Sequence, residues 1–288
     1  MKNICRPILK WAGGKTFLRS RINDICKNIK ITRYIEPFFG SGAIYFNLID
    51  QKLINKRKSI INDANKELMN LYKHIRSSPD ELVIAHKKII EDFNNKGYYY
   101  VRSKFNGIDK KGCKVQRYKK IDKSAALMIL NKTCFNGLYR VNKNNEFNVP
   151  EGKYTTPSFV SSQMILNVSK VLPSMRNISS RSFKDISYEK GDLIYLDPPY
   201  DPINKTSSFT SYSQEFGKDE QKQLCDKFNA LDKIGANVIL SNSSTDFIEK
   251  LYKGHTLETI DSSRSINSKK DKRGKVKELL IIGKNFGK

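Results

Sequence analysis

Between Tyr34 and Asn65 the chain runs strand, glycine turn, helix, strand, acid, and this order constrains its fold most. "YIEPFFGSG" (Tyr34–Gly42) reads as a short strand ending in a glycine turn, and "AIYFNLIDQ" has helical spacing. "KSIINDAN" is a second strand closing on Asp63, before the helical "KELMNLYKHIRSS". Such a sequence opens a nucleotide-binding α/β unit, whose ligands sit beyond the carboxyl ends of the strands. Gly40-Ser41-Gly42 lets backbone approach a ligand that side chains would obstruct. Asp63 follows about 20 residues later, where an acid accepts the two ribose hydroxyls of a nucleoside. Tyr45 stands where a dinucleotide fingerprint would have its third glycine, and there is no P-loop sequence. The pair suits a nucleoside with no pyrophosphate to cradle, such as S-adenosylmethionine.

From about Pro79 to Ser179 the period changes. Helical patches ("ELVIAHKKIIEDF", "KSAALMILNKTCF") alternate with polar, basic loops. We expect an inserted, mainly helical domain over residues 76–174, with residues 1–75 and 175–288 forming one catalytic α/β domain. The α/β pattern returns at "ISSRSFKDI", and strands are expected at "DLIYLDPPY", "ANVILSNSS" and "VKELLIIGK". The helix "GKDEQKQLCDKFNALDKI" bridges the first two. Segments 204–217 and 262–277 read as surface loops.

Lysine and arginine number 53 against 29 acids, a formal charge of +24. Such a surface speeds encounter with polyanions, so nucleic acid leads as partner over a membrane surface. No apolar window of transmembrane length occurs, and the first residues lack the apolar core of a signal peptide. The five cysteines are scattered and the three histidines lie far apart, so neither a zinc site nor a disulfide framework is expected. That usage implies a reducing compartment, and therefore a cytoplasmic one.

"DLIYLDPPY" (Asp192–Tyr200) is the more specific motif. The two prolines fix φ and remove two N–H donors, leaving a stiff corner lined with acceptors. An exocyclic amine has two protons to give. The Asp197 carboxylate can accept one and the Pro198 carbonyl the other, with Pro199 holding the corner rigid. The nitrogen lone pair is thereby drawn out of conjugation and turned towards an electrophile. Tyr200 offers a flat face to the base, a stacking contact worth about 1–3 kcal/mol. A base inside a duplex reaches such a pocket only by flipping out, at a cost of a few kcal/mol.

The chain resembles Dam-type S-adenosylmethionine-dependent DNA N6-adenine methyltransferases, of the α arrangement and D12 class. The resemblance rests on "LKWAGGK" (Leu9–Lys15), "IEPFFGSGA" (Ile35–Ala43), "FNGLYRVNKNNEFNVPEGKY" (Phe135–Tyr154) and "DLIYLDPPY". It implies a Rossmann-like methyltransferase domain with a mixed seven-stranded sheet and an inserted target-recognition domain. It places Trp11, Gly14, Lys15, Phe38, Gly40, Ser41 and Gly42 around S-adenosylmethionine, with Asp63 on the ribose. Phe183 and Asp185 would lie beside the cofactor adenine, and Asp197 would border both cofactor and target amine. On double-stranded DNA, Arg140 would read a guanine edge and Lys10 another. Asn136 and Pro150 match positions near the target bases, and Phe135 an aromatic that fills the gap left by the flipped adenine. The implied target is GATC, although Glu151 stands where family members often carry an aromatic. "SSFTSYSQEF" resembles a catalytic flap, with Phe209 and Tyr212 closing near the pocket, and "RSINSKKDKRGKVKELLIIGK" the family's last hairpin.

Two other readings compete. Methylation of cytosine N4 is disfavoured, because such enzymes usually carry serine where Asp197 stands. A DNA-binding relative without activity would have little use for an intact acid-proline-proline-tyrosine corner, the G-x-G turn and Asp63. RNA is a weaker alternative substrate.

Overall fold

The computed structural model describes residues 6–11, 13–202, 216–263 and 275–288. They form two compact units. One comprises residues 17–39, 51–64 and 181–288, and the other residues 1–16, 40–50 and 65–180.

The first unit is built on parallel strands. β1 (Tyr34–Glu36), β2 (Ser59–Asn62), β4 (Leu193–Leu196) and β5 (Asn237–Ser243) are joined by an antiparallel hairpin, β6 (Thr256–Ser263) and β7 (Lys275–Ile282). With the short β3 (Ile178–Ser179) they complete a mixed seven-stranded sheet of order β3-β2-β1-β4-β5-β7-β6. The expected strands at "DLIYLDPPY", "ANVILSNSS" and "VKELLIIGK" are present, and β6 is an addition to them. β1, β4 and β5 are buried along their whole length, as continuous apolar runs in a parallel sheet should be. The exceptions in composition are Glu36 of β1 and the two ends of β5, Asn237 and the run Ser241, Asn242 and Ser243, which are polar yet no more than 7% exposed.

Helix α8 (Lys218–Lys233) runs between β4 and β5 in sequence. It turns Leu224, Phe228 and Leu231 into a core with Ile194, Val238 and Leu240. Asp219 and Glu220 sit in its first turn, where they complement the positive end of the helix dipole. The start of β4 is held by charge: Arg33 donates Nε to Asp192 Oδ1 (2.9 Å) and Nη2 to Oδ2 (2.7 Å). Asp192 is fully buried, and its pairing raises the Arg33 pKa above the ordinary guanidinium value.

The second unit holds α2 (Ala43–Asp50), α3 (Lys66–Ser77), α4 (Pro79–Lys96), α5 (Tyr98–Asn106), α6 (Lys120–Thr133) and α7 (Ser162–Val171). Helix starts follow capping rules. The Asn65 side chain accepts from Leu68 N at 3.1 Å, Ser161 accepts from Met164 N, and Pro79 begins α4. Gly97 (φ 81°) and Gly107 (φ 80°) end α4 and α5 in backbone conformations that suit glycine. α6 is the core element of this unit, and nine of its 14 residues are buried.

Candidate active site

In the sheet unit the register fixes the acid. Leu196 lies opposite Leu240 in the parallel β4–β5 pair, so the next residues, Asp197 just past β4 and Ser241 within β5, lie side by side. Ser241 Oγ donates to Asp197 Oδ1 at 2.9 Å, and the Tyr195 hydroxyl lies 3.0 Å from Ser241 Oγ. The rest of the corner is pinned by the polar end of β5 and by α8. Gln221 Nε2 donates to the Pro199 carbonyl (2.8 Å), Asp201 N to Asn242 Oδ1 (3.2 Å) and Ser243 Oγ to the Asp201 carbonyl (2.7 Å). Thr245 adds a bond to the Asp201 carboxylate. Tyr200 donates its hydroxyl to Glu278 of β7 at 2.8 Å. No hydrogen bond reaches the Pro198 carbonyl from the described residues.

Tyr195 and Tyr200 flank this corner and Tyr34 lies on the neighbouring β1, and burial pushes all three phenols well above the usual value. Neighbouring carboxylates push the same way: Glu36 for Tyr34, Asp197 first for Tyr195, and Asp197 and Glu278 for Tyr200. These phenols keep their protons and act as donors.

Beside the corner in the same unit, Phe38 and Phe183 pack at 5.4 Å between ring centroids, and Phe216 meets Phe38 edge-on at 5.8 Å. Tyr188 donates to the Phe183 carbonyl and stiffens the turn that carries it. Asp63 follows β2 half-buried, and Asp185 is exposed. Phe209 and Tyr212 lie outside the described residues.

In the helical unit the glycine turn meets Trp11. Gly40 (φ 50°) could not carry a side chain, since a Cβ there would stand 2.9 Å from the indole Cδ1. Gly42 (φ 72°) completes the turn and Ser41 is buried between them. Trp11 stacks on Tyr139 at 5.7 Å with an interplanar angle of 25°. Gly14 is exposed, whereas Lys15 is buried and donates to the Gly13 carbonyl.

The expected base-reading residues gather in this unit as well. Asn131, 1% exposed near the end of α6, accepts from Lys10 N (2.8 Å) and donates to the carbonyls of Lys10 (2.7 Å) and Gly137 (3.0 Å). The Lys10 ammonium stands 4.9 Å from the Tyr154 ring centre. Phe135 is 43% exposed, and its N–H donates to the Pro150 carbonyl (2.9 Å), so these two positions are neighbours. Asn136 adopts φ 54°, a left-handed conformation that asparagine tolerates better than most residues. Arg140 and Asn148 close a hairpin whose Val141 and Phe147 pair antiparallel. Arg140 Nε donates to Asn148 Oδ1 at 2.7 Å.

Three supports escaped the sequence reading. Asn131 looks like an ordinary polar position within a helix. α5 was unassigned, yet its Tyr98 donates to the Val149 carbonyl (2.8 Å) and its Asn106 bonds both backbone groups of Phe147. Phe216 is the last residue of "SSFTSYSQEF", a stretch in which the resemblance marks Phe209 and Tyr212 instead. The one available signal was the run "SNSS" after an apolar strand, a polar ending that a purely structural strand has no use for.

A mixed seven-stranded sheet of this order, with an acid-proline-proline-tyrosine corner after its central strand, is the frame of a Rossmann-like methyltransferase. The chain belongs to the D12 class N6 adenine-specific DNA methyltransferase family, which matches residues 11–266. It is 40% identical to the type II methyltransferase M.MjaIII of Methanocaldococcus jannaschii, over 96% of this chain and 98% of that one. It is 37% identical to the type II methyltransferase M1.LlaDCHI of Lactococcus lactis (98% and 96% covered). The DNA adenine methylase of Haemophilus influenzae is 34% identical, over 96% of this chain and 93% of its own length.

Proposed function

We propose that this protein transfers a methyl group from S-adenosylmethionine to N6 of an adenine flipped out of duplex DNA, within GATC. The observation that carries the reading is the corner after β4. It holds Asp197 by a bond to one carboxylate oxygen, and the Pro198 carbonyl beside it takes no bond from the described residues. These are two acceptors for the two protons of one amine. As both bonds form, the nitrogen lone pair turns out of the purine plane.

The residues present fit the methyl donor. The side-chain-free turn at Gly40 lies against Trp11, and Phe38 with Phe183 offers an apolar wall suited to an adenine. Asp63 at the end of β2 suits the ribose hydroxyls, and Gly14, Lys15, Ser41, Gly42 and Asp185 complete the proposed set. When bound, S-adenosylmethionine supplies a methyl on a sulfonium, already a good leaving group. The work left to the chain is orientation and exclusion of water, which together account for much of such a rate.

Residues 76–174 would read the target. Lys10, Phe135, Asn136, Arg140 and Pro150 are tied to one another or to shared supports by the bonds around Asn131 and the Arg140 hairpin. With Nε and one Nη2 hydrogen held by Asn148, Arg140 keeps Nη1 and the second Nη2 hydrogen for the O6 and N7 acceptors of guanine, worth about 1–3 kcal/mol of discrimination. Phe135 is exposed enough to stand in for an extruded base.

A plasmid treated with the protein should become resistant to endonucleases blocked by N6-methylated GATC and sensitive to those that require it. Asp197→Ala should abolish transfer, with duplex affinity within about twofold of wild type. Near-normal turnover by that variant would refute the role of Asp197. Mass analysis giving N4-methylcytosine would refute the choice of base.

A further inference from the structure

We propose that Ser241 and Tyr195 are positioning residues for the transfer, a hydroxyl chain that sets the rotation of the Asp197 carboxylate. The inference rests on the methyl-transfer reading above and deepens it.

The direction of the chain follows from proton counting. A carboxylate only accepts, so the single proton of Ser241 goes to Asp197 Oδ1 at 2.9 Å. Ser241 then has only lone pairs for Tyr195, 3.0 Å away, and Tyr195 must be the donor. Tyr195 and Ser241 are 1% and 0% exposed, so water does not compete for these bonds. The phenol keeps its proton because burial and the carboxylates of Asp197, Glu36 and Glu278 all oppose its ionisation. The Tyr200 hydroxyl donates its single proton to Glu278 and has none for Ser241. Ser241 thus links Asp197 to its support, Tyr195.

A carboxylate on a short side chain is free to turn about its Cβ–Cγ bond. Bonding Oδ1 stops that rotation and fixes the plane in which the acid meets the amine. The amine needs both acceptors at once, so a mis-turned carboxylate spoils the attack and leaves binding of either substrate intact. A hydroxyl proton donated to a carboxylate also favours the ionised acid. Losing it shifts the acid limb of the rate profile to higher pH.

The test is single-turnover transfer to a saturating GATC duplex by wild type, Ser241→Ala, Ser241→Thr and Tyr195→Phe. Titration of ¹³C-labelled aspartate carboxyls accompanies it, with Asp197 assigned through Asp197→Asn. We expect Ser241→Ala to slow the chemical step by roughly 10–100-fold, with dissociation constants for S-adenosylmethionine and duplex within about twofold. Ser241→Thr, which keeps the hydroxyl, should recover most of the rate. Tyr195→Phe should fall between, since Ser241 keeps its own bond to Asp197. In both deletion variants the acid limb and the Asp197 titration should move to higher pH. A Ser241→Ala enzyme with wild-type rate and profile would overturn the inference, as would a Ser241→Thr enzyme as slow as Ser241→Ala. Wild-type protein that methylates no duplex would refute the function itself. The carboxyl titrations would then decide the tether on their own: a shift in both variants supports it, and unmoved curves refute it.

Discussion

One buried amide organises the proposed base-reading surface. Asn131 makes three bonds to backbone groups of Lys10 and Gly137, and thereby holds the segment before Trp11 against the turn after Phe135. Gly137 is required there, because a Cβ would stand 2.5 Å from that of Lys10. Asn131→Ala strands a buried N–H and two carbonyls, at a cost of about 2–3 kcal/mol. The denaturant midpoint should fall accordingly. The same variant should lose preference for GATC over single-base variants of it, measured as a ratio of kcat/KM values, by more than it loses affinity for DNA. Residues of this kind are illegible from sequence. Asn131 bears no motif, and its importance depends on which two loops the fold brings to it. Asp197 and Gly40 were legible because a proline pair and a glycine turn restrict backbone before any tertiary contact forms.

Among the elements, β1, β2, β4 and β5 and helices α2, α3, α4, α6 and α8 could be read from apolar period and capping residues. α5, α7 and β6 could not. "YYYVRSKFN" and "TLETIDSS" carry mixed patterns, and both owe their form to partners distant in sequence: the loop around Phe147 for α5 and the β7 ladder for β6. α4 contains a titratable group with a calculable effect. His86 is 2% exposed, its Nε2 lacks a partner, and burial lowers its pKa from 6.5 to about 4. The unfolded chain takes up this proton first on acidification. Stability is therefore complete above about pH 6.5 and declines as the pH falls towards 4, by about 3 kcal/mol in all. His86→Leu should flatten that decline in unfolding titrations between these pH values, and should not lower stability at pH 7.5.

For the molecule as a whole, a formal charge of +24 bears on encounter more than on sequence choice. Duplex affinity should fall about a thousandfold or more between 50 and 200 mM salt, with parallel slopes for GATC and scrambled duplexes, since phosphate contacts release counterions whatever the bases. A shallow slope in a binding titration would place the lysines outside the interface. The strand order has a consequence of another kind. β7 lies between β5 and β6, so the flank of β5, the strand that carries Ser241, remains bare until Ile282 has been made. On the ribosome, every earlier part of the protein must wait, with one hydrogen-bonding edge unprotected, for the piece that closes it. A nascent chain stalled before Lys275 would expose that edge to its neighbours.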